Sequence, residues 1–162
     1  MKQYIWIFTL LLCTLSAMSQ VEENSYMVQN VGTGKVMRIK DTNSKNGTPI
    51  VAYSPVEWKC VTWDFRKLAN GNYHLVNLFS GKTMQPATDG KAMEEQPLDK
   101  NSETQQFQVV KTSRNQYEIK LKGSDLYLTA PDENTGFDQI TLAPRNGTDL
   151  QRWTFKEQHP KL

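Results

Sequence analysis

The sequence predicts a single all-β domain made of three internal repeats of about 45 residues. Three observations carry that prediction. Tyr26, Tyr73 and Tyr117 each open an alternating run, "YMVQNV", "YHLVNL" and "YEIKLK", at intervals of 47 and 44 residues. Met37, Met84 and Leu128 follow a glycine turn in each segment, within "GTGKVMRI", "FSGKTMQP" and "KGSDLYLT", at the same two intervals. Trp63, Phe107 and Trp153 close the segments, 44 and 46 residues apart. Tyrosine, turn, apolar residue and closing aromatic recur together, as one supersecondary unit used three times would require.

Within each segment apolar residues alternate over four to six positions, with Gly, Asn, Pro and Asp between the runs. That pattern belongs to short strands joined by turns. Nowhere is a helical apolar period held for three turns. Each repeat therefore supplies four strands, which in the first lie near Tyr26–Asn30, Val36–Ile39, Pro49–Tyr53 and Val61–Arg66. Asn70-Gly71 marks a turn at the first join. No linker or low-complexity tract divides the chain, and the repeats span about 25–71, 72–115 and 116–158 of a domain covering 20–162.

Strand parity gives the closing aromatics a partner. In "QRWTF", Gln151, Trp153 and Phe155 share one face, as do Gln105, Phe107 and Val109, and Val61, Trp63 and Phe65. The aromatic is expected to plug the core once per repeat. Gln105 and Gln151 are placed to hydrogen-bond the loop backbone where the strand enters, satisfying groups that burial would otherwise leave unpaired. Val61 stands where the first repeat lacks that glutamine.

The first residues read as a secretory signal. Lys2 precedes an apolar run from Tyr4 to Leu12, then small residues ending Ala17-Met18-Ser19, so residues 1–19 are expected to be cleaved. The run is shorter than the roughly 20 residues of a membrane span, which leaves an uncleaved anchor as the alternative. Leu12 stands before Cys13, where lipid-modified cysteines need a small residue, so lipidation is rejected. Cleavage implies a secreted or periplasmic protein with no membrane span. The 143 residues left suffice for one compact domain. With 19 basic and 17 acidic residues and no basic cluster, the chain is not built for nucleic acid.

Cys60 is the sole cysteine after cleavage, so no intrachain disulfide can form and packing must hold the domain together. Alternation with Val61, Trp63 and Phe65 would turn Cys60 outward. Cysteine is nonetheless among the most buried residue types, and a residue opening a strand need not obey the alternation. The expectation is a free thiol covered by the loop that carries Trp58.

Three copies of a tyrosine-led strand, a Ser/Thr-Gly-Lys-type turn and a terminal Gln-x-Trp resemble the ricin B-type lectin family. "NVGTGKVMRIKDTNSKNGTPIVAY", "NLFSGKTM" and "TDLQRWTF" carry the likeness, which runs from about Ser25 to Lys156. It implies a β-trefoil: a six-stranded barrel capped by three hairpins with pseudo-threefold symmetry. It also implies carbohydrate binding, through pockets from which this chain departs. Sugar-binding members place an aspartate after the leucine of the second strand, where Arg38, Gln85 and Thr129 stand here. The stacking aromatic of the third strand survives only as Tyr53; the second repeat offers Gln96 or Pro97, the third Ala143 or Pro144. An asparagine before the glutamine is replaced by Cys60, Thr104 and Leu150. All three galactose-type pockets are thus expected to be eroded.

The first repeat keeps the best candidate patch. "YSPVEWKC" puts Tyr53 and Trp58 around one loop, with Arg38 and Asp41 across from it. Aromatic faces beside polar groups are what a saccharide needs, since sugar rings present both C–H faces and hydroxyl rims. The alternative is structural, with Trp58 covering the barrel end and Tyr53 half-buried. Asn46 to Thr48 and Asn146 to Thr148 match the N-glycosylation pattern formally but read more simply as Asn-Gly turns.

Catalysis finds little to work with. His74 lies inside a strand and His159 in the tail, no nucleophile has a recognisable base, and metal-ligand spacings are absent. Glu94 and Glu95 point to opposite faces, so they cannot flank one bond, and both are expected as solvated surface carboxylates. No enzyme activity or cofactor is implied. Two functional classes remain: a secreted carbohydrate-binding module, and a non-catalytic scaffold for protein contacts such as protease inhibition or adhesion.

Overall fold

The computed structural model describes residues 21–136 and 138–162. The expected signal at 1–19 lies outside the described residues. Among the described residues twelve strands follow one another: β1 (Ser25–Asn30), β2 (Val36–Ile39), β3 (Ile50–Tyr53), β4 (Thr62–Lys67), β5 (Tyr73–Asn77), β6 (Thr83–Pro86), β7 (Met93–Gln96), β8 (Phe107–Ser113), β9 (Gln116–Leu121), β10 (Leu126–Thr129), β11 (Thr141–Pro144) and β12 (Trp153–Glu157). Four fall in each repeat. In the first, the observed third and fourth strands each begin one residue later than the sequence suggested, because Pro49 has no N–H to donate and Val61 ends a short 3-10 turn.

Pairing closes six strands into a barrel: β1 with β4, β4 with β5, β5 with β8, β8 with β9, β9 with β12, and β12 back to β1. The other six form three hairpins, β2–β3, β6–β7 and β10–β11. Single bridges tie the hairpins to one another, Pro49 to Glu94, Ala92 to Thr141 and Val51 to Gln139, so that they make one triangular cap. This is the β-trefoil.

The repeat landmarks turn out to be cross-strand neighbours. Tyr26 lies opposite Trp63, Tyr73 opposite Phe107 and Tyr117 opposite Trp153. The three closing aromatics are fully buried, as are Met37, Met84 and Leu128. The Trp63 indole N–H donates to the Met37 carbonyl at 3.1 Å, and the Trp153 indole N–H donates to that of Leu128 at 3.0 Å. Phe107 fills the third place without a polar atom to satisfy. Below this layer Tyr26, Phe65, Tyr117 and Phe155 stack edge and face through the barrel, with centroids 4.6 to 5.9 Å apart.

Asparagine fixes the tight turn between the first two strands of repeats one and two. Asn30 Oδ1 accepts from the N–H groups of Gly32 and Thr33 while its amide donates to the Asp149, Leu150 and Arg152 carbonyls. Asn77 does the same with Phe79, Ser80 and the Cys60 carbonyl. Gly34 and Gly81 complete these turns at φ of 69° and 68°, a region costly for residues with a Cβ. The Asn-Gly pair at 46–47 is likewise a turn, with Gly47 at φ of 83°; at 146–148 the chain bends with Gly147 at φ of 71° and the Thr148 N–H donating to Asn146 Oδ1.

Candidate functional site

Register settles which residues occupy equivalent places in the cap. Val36 lies opposite Tyr53, Thr83 opposite Gln96 and Tyr127 opposite Ala143, so Tyr53, Gln96 and Ala143 correspond. Only the first repeat has an aromatic there.

The glutamines explain why the other two places are closed. Gln105 and Gln151 are buried. Gln105 Oε1 accepts from the Asp99 N–H at 2.8 Å, and its amide donates to the Pro97 carbonyl at 3.0 Å and to Gln85 Oε1 at 2.9 Å. Gln151 Oε1 accepts from the Asn146 N–H at 2.8 Å, and its amide donates to the Pro144 carbonyl at 2.9 Å and Thr129 Oγ1 at 3.0 Å. Each glutamine thus holds its loop, and the polar residue on the second strand, Gln85 or Thr129, is engaged in holding the glutamine. In the first repeat Val61 offers no amide. Arg38, the counterpart of Gln85 and Thr129, is free to turn outward.

It turns onto the aromatics. The Arg38 guanidinium carbon sits 4.0 Å from the Tyr53 ring centroid and 5.9 Å from that of Trp58, and the two rings lie 6.4 Å apart at 30°. Nη2 donates to Thr42 Oγ1 at 3.2 Å, while Nε is buried and has no partner. Because Arg38 covers a face of Tyr53, the open aromatic surface belongs to Trp58, which is 40% exposed. Trp58 itself stands at the surface. It walls an apolar hollow of about 220 Å³ together with Thr42, Lys59, Cys60, Phe79 and Leu162.

Thr42 reaches Arg38 from an unusual backbone. Both Asp41 and Thr42 adopt φ of 52°, and a β-branched residue is disfavoured there by about 1–2 kcal/mol. The strained turn delivers the hydroxyl to the guanidinium. It also carries Asp41 away from the patch: Asp41 lines a separate shallow depression with Lys45, Asn46 and Thr48. Of the four residues expected to gather, the structure brings together Arg38, Tyr53 and Trp58, and sets Asp41 apart.

Phe79, Thr42 and Lys59 were not anticipated at the site. Phe79 carried a signal, for its N–H bonds Asn77 just as that of Gly32 bonds Asn30. A phenylalanine therefore stands, 44% exposed, where the first repeat has glycine. Cys60 forms the floor of the hollow and is buried, as a free thiol. The 3-10 turn at Lys59–Val61 breaks the strand alternation that would have turned it outward.

One carboxylate departs from expectation. Glu94 is partly exposed, but Glu95 is buried at 1% exposure rather than solvated. Its place opposite Met84 corresponds to that of Leu142 opposite Leu128, so parity aims it into the cap. Neither carboxylate oxygen has a well-formed hydrogen bond. Burial pushes the Glu95 carboxyl above its ordinary range, against the opposing pull of Ser80 and Lys82. Glu118, also buried, differs in receiving Arg145 Nε at 3.0 Å. His74 is buried beneath the Gln105 carbonyl, 3.0 Å from Nδ1. Among the described residues no three His, Cys, Asp or Glu side chains gather as metal ligands would.

Comparison with known proteins agrees with this architecture. The model of the ricin-type beta-trefoil lectin domain-like family matches residues 5–98. No curated protein sequence matches the chain. Among solved structures, the designed threefold-symmetric protein ThreeFoil superposes with a TM-score of 0.73 at 19% identity, covering 81% of this chain and 96% of its own. The ricin B-like lectin of Macrolepiota procera, solved with lactose, gives 0.70 at 17% identity over 86% and 99% of the two chains. An exo-beta-1,3-galactanase from Clostridium thermocellum gives 0.74 at 16%, where 85% of this chain matches 31% of the enzyme. With the closed barrel, the three-hairpin cap and a family match over more than half its length, the chain belongs to the ricin-type β-trefoil lectin domain-like family.

Proposed function

We propose that this protein is a non-catalytic, secreted carbohydrate-binding module whose working site lies in the first repeat. The observation that carries the reading is the exposed Trp58 beside the Arg38–Tyr53 pair, in the one repeat whose second-strand side chain is not engaged by a glutamine. Trp58 offers an apolar face for the C–H surface of a sugar ring, and Arg38 and Lys59 offer donors for its oxygens. The family membership and the lactose-bound Macrolepiota lectin support saccharide as the ligand class. The second and third repeats are read as structural, because Gln85 and Thr129 are committed to their glutamines. A single aromatic platform with a handful of hydrogen bonds corresponds to millimolar to micromolar affinity, about 4–8 kcal/mol.

A glycan array followed by calorimetry on the best hits tests this. Binding should be present in the parent protein and fall at least tenfold in Trp58→Ala, with the thermal melt unchanged. A flat array, or hits indifferent to both Trp58→Ala and Tyr53→Ala, would remove the basis for the reading. In that case the apolar hollow walled by Trp58, Phe79 and Leu162 would favour a scaffold for protein contacts.

A further inference from the structure

We infer that the first-repeat site is selective for anionic saccharides, those bearing a carboxylate or sulfate; the inference rests on the saccharide-binding reading above. Its ground is the state of Arg38. A guanidinium is always charged and only donates, through five N–H bonds in a planar fork. Here one of these bonds is made, to Thr42 Oγ1 at 3.2 Å, and the Nε donor is buried with no acceptor. No carboxylate among the described residues lies within ion-pair distance of Arg38. Arg66, Arg145 and Arg152 each have one, Asp64 at 2.9 Å, Glu118 at 3.0 Å and Asp149 at 2.8 Å.

A half-buried cation held without a counter-ion is costly for a fold to keep. Stacking on Tyr53 offsets part of that and fixes the plane of the fork. What the arrangement lacks is a negatively charged acceptor, and it lacks it beside the exposed Trp58. Lys59, the residue after Trp58, carries a second positive charge in this segment. Glu57, which precedes Trp58, and Asp41, which precedes Thr42, are the neighbouring acids, and both are exposed to solvent, where their charge is screened. An aspartate in the place of Arg38 would accept bonds from neutral sugar hydroxyls. A guanidinium instead gains most from a bidentate anionic group. The substitution therefore alters which sugar the platform takes.

The test uses four oligosaccharides of matched length on the whole protein: a uronate, its carboxyl-reduced neutral counterpart, a sulfated sugar and that sugar after desulfation. Titration at low salt should show one or both anionic ligands binding at least tenfold tighter than the neutral partners. That advantage should shrink as salt rises. In Arg38→Gln the anionic-to-neutral ratio should collapse to about one. Arg38→Lys, which keeps the charge but not the fork, should retain an intermediate ratio. Thermal melts of both variants report whether the fold is intact. The arm that binds distinguishes carboxylate from sulfate, and either result supports the inference. Equal binding of anionic and neutral ligands, still sensitive to Trp58→Ala, would overturn the inference while leaving saccharide binding in place. Failure of all four, with a flat array, would overturn both.

Discussion

Replacing Gln151 with valine isolates what the repeat glutamine does. Valine occupies the equivalent place in the first repeat, where Val61 is fully buried, so the substitution introduces no shape foreign to the fold. Gln151→Val removes three well-formed hydrogen bonds, to the Asn146 N–H, the Pro144 carbonyl and Thr129 Oγ1, at 2.8, 2.9 and 3.0 Å. A fourth, to the Ala143 carbonyl at 3.4 Å, is too long to weigh much. Each lost bond costs about 0.5–1.5 kcal/mol net. Part of the stranded backbone regains water, because Pro144 and Asn146 lie in exposed positions. The expected total is about 2–4 kcal/mol. At roughly 3 °C per kcal/mol for a chain of this size, the Tm should fall by ~6–12 °C. Urea unfolding followed by tryptophan fluorescence should show a lower midpoint with the same slope, since the surface exposed on unfolding is unchanged. Hydrogen exchange at the Asn146 amide should accelerate as well. A loss below about 0.5 kcal/mol, with Asn146 as protected as before, would mean that the loop holds itself and that the glutamine has some other role.

Two further outcomes follow from the core and the cap. Trp153→Ala should cost about 3–5 kcal/mol in denaturant unfolding, since it empties a fully buried site and strands the Leu128 carbonyl; a cost under 1 kcal/mol would refute the plug assignment. Glu95→Gln should stabilise the protein by about 1 kcal/mol near neutral pH. The Glu95 carboxyl titrates above its ordinary range when folded, so the folded state keeps a proton that the unfolded chain has released. Its contribution is therefore full below about pH 4.5 and is lost as pH rises through the folded value. Parallel stability curves for parent and variant from acid to neutral pH would contradict this.

The repeat was legible because its landmarks face one another. Tyrosine and closing aromatic kept their spacing because they pair across adjacent strands, and each plug needs the same neighbours. The glutamine's role was legible for a similar reason, since a polar side chain at an inward position must meet backbone. Elsewhere a local departure from strand geometry hid the outcome. Cys60 sits in a 3-10 turn, and alternation says nothing about turns. Asp41 is carried off by two successive left-handed residues that neither aspartate nor threonine announces. Glu95 obeys parity, but its buried side depends on neighbouring hairpins brought together only by the cap bridges. Arg38 was expected at the site; that it would cover Tyr53 and leave Trp58 as the open face depended on distances that spacing does not encode.

The seam between β1 and β12 sets an order of events on the folding path. Five consecutive residues of β1, Tyr26 to Asn30, pair with Glu157 back to Trp153. The first strand of the barrel therefore cannot acquire its last neighbour until β12 has been made. On a ribosome adding roughly 5–20 residues per second, that strand waits about 6–25 s with one edge open. Loop-closure entropy opposes the seam until the other strands are in register. Exposed edges recruit strands from other chains. Overproduction should accordingly threaten yield through nascent chains, before the native molecule exists to aggregate.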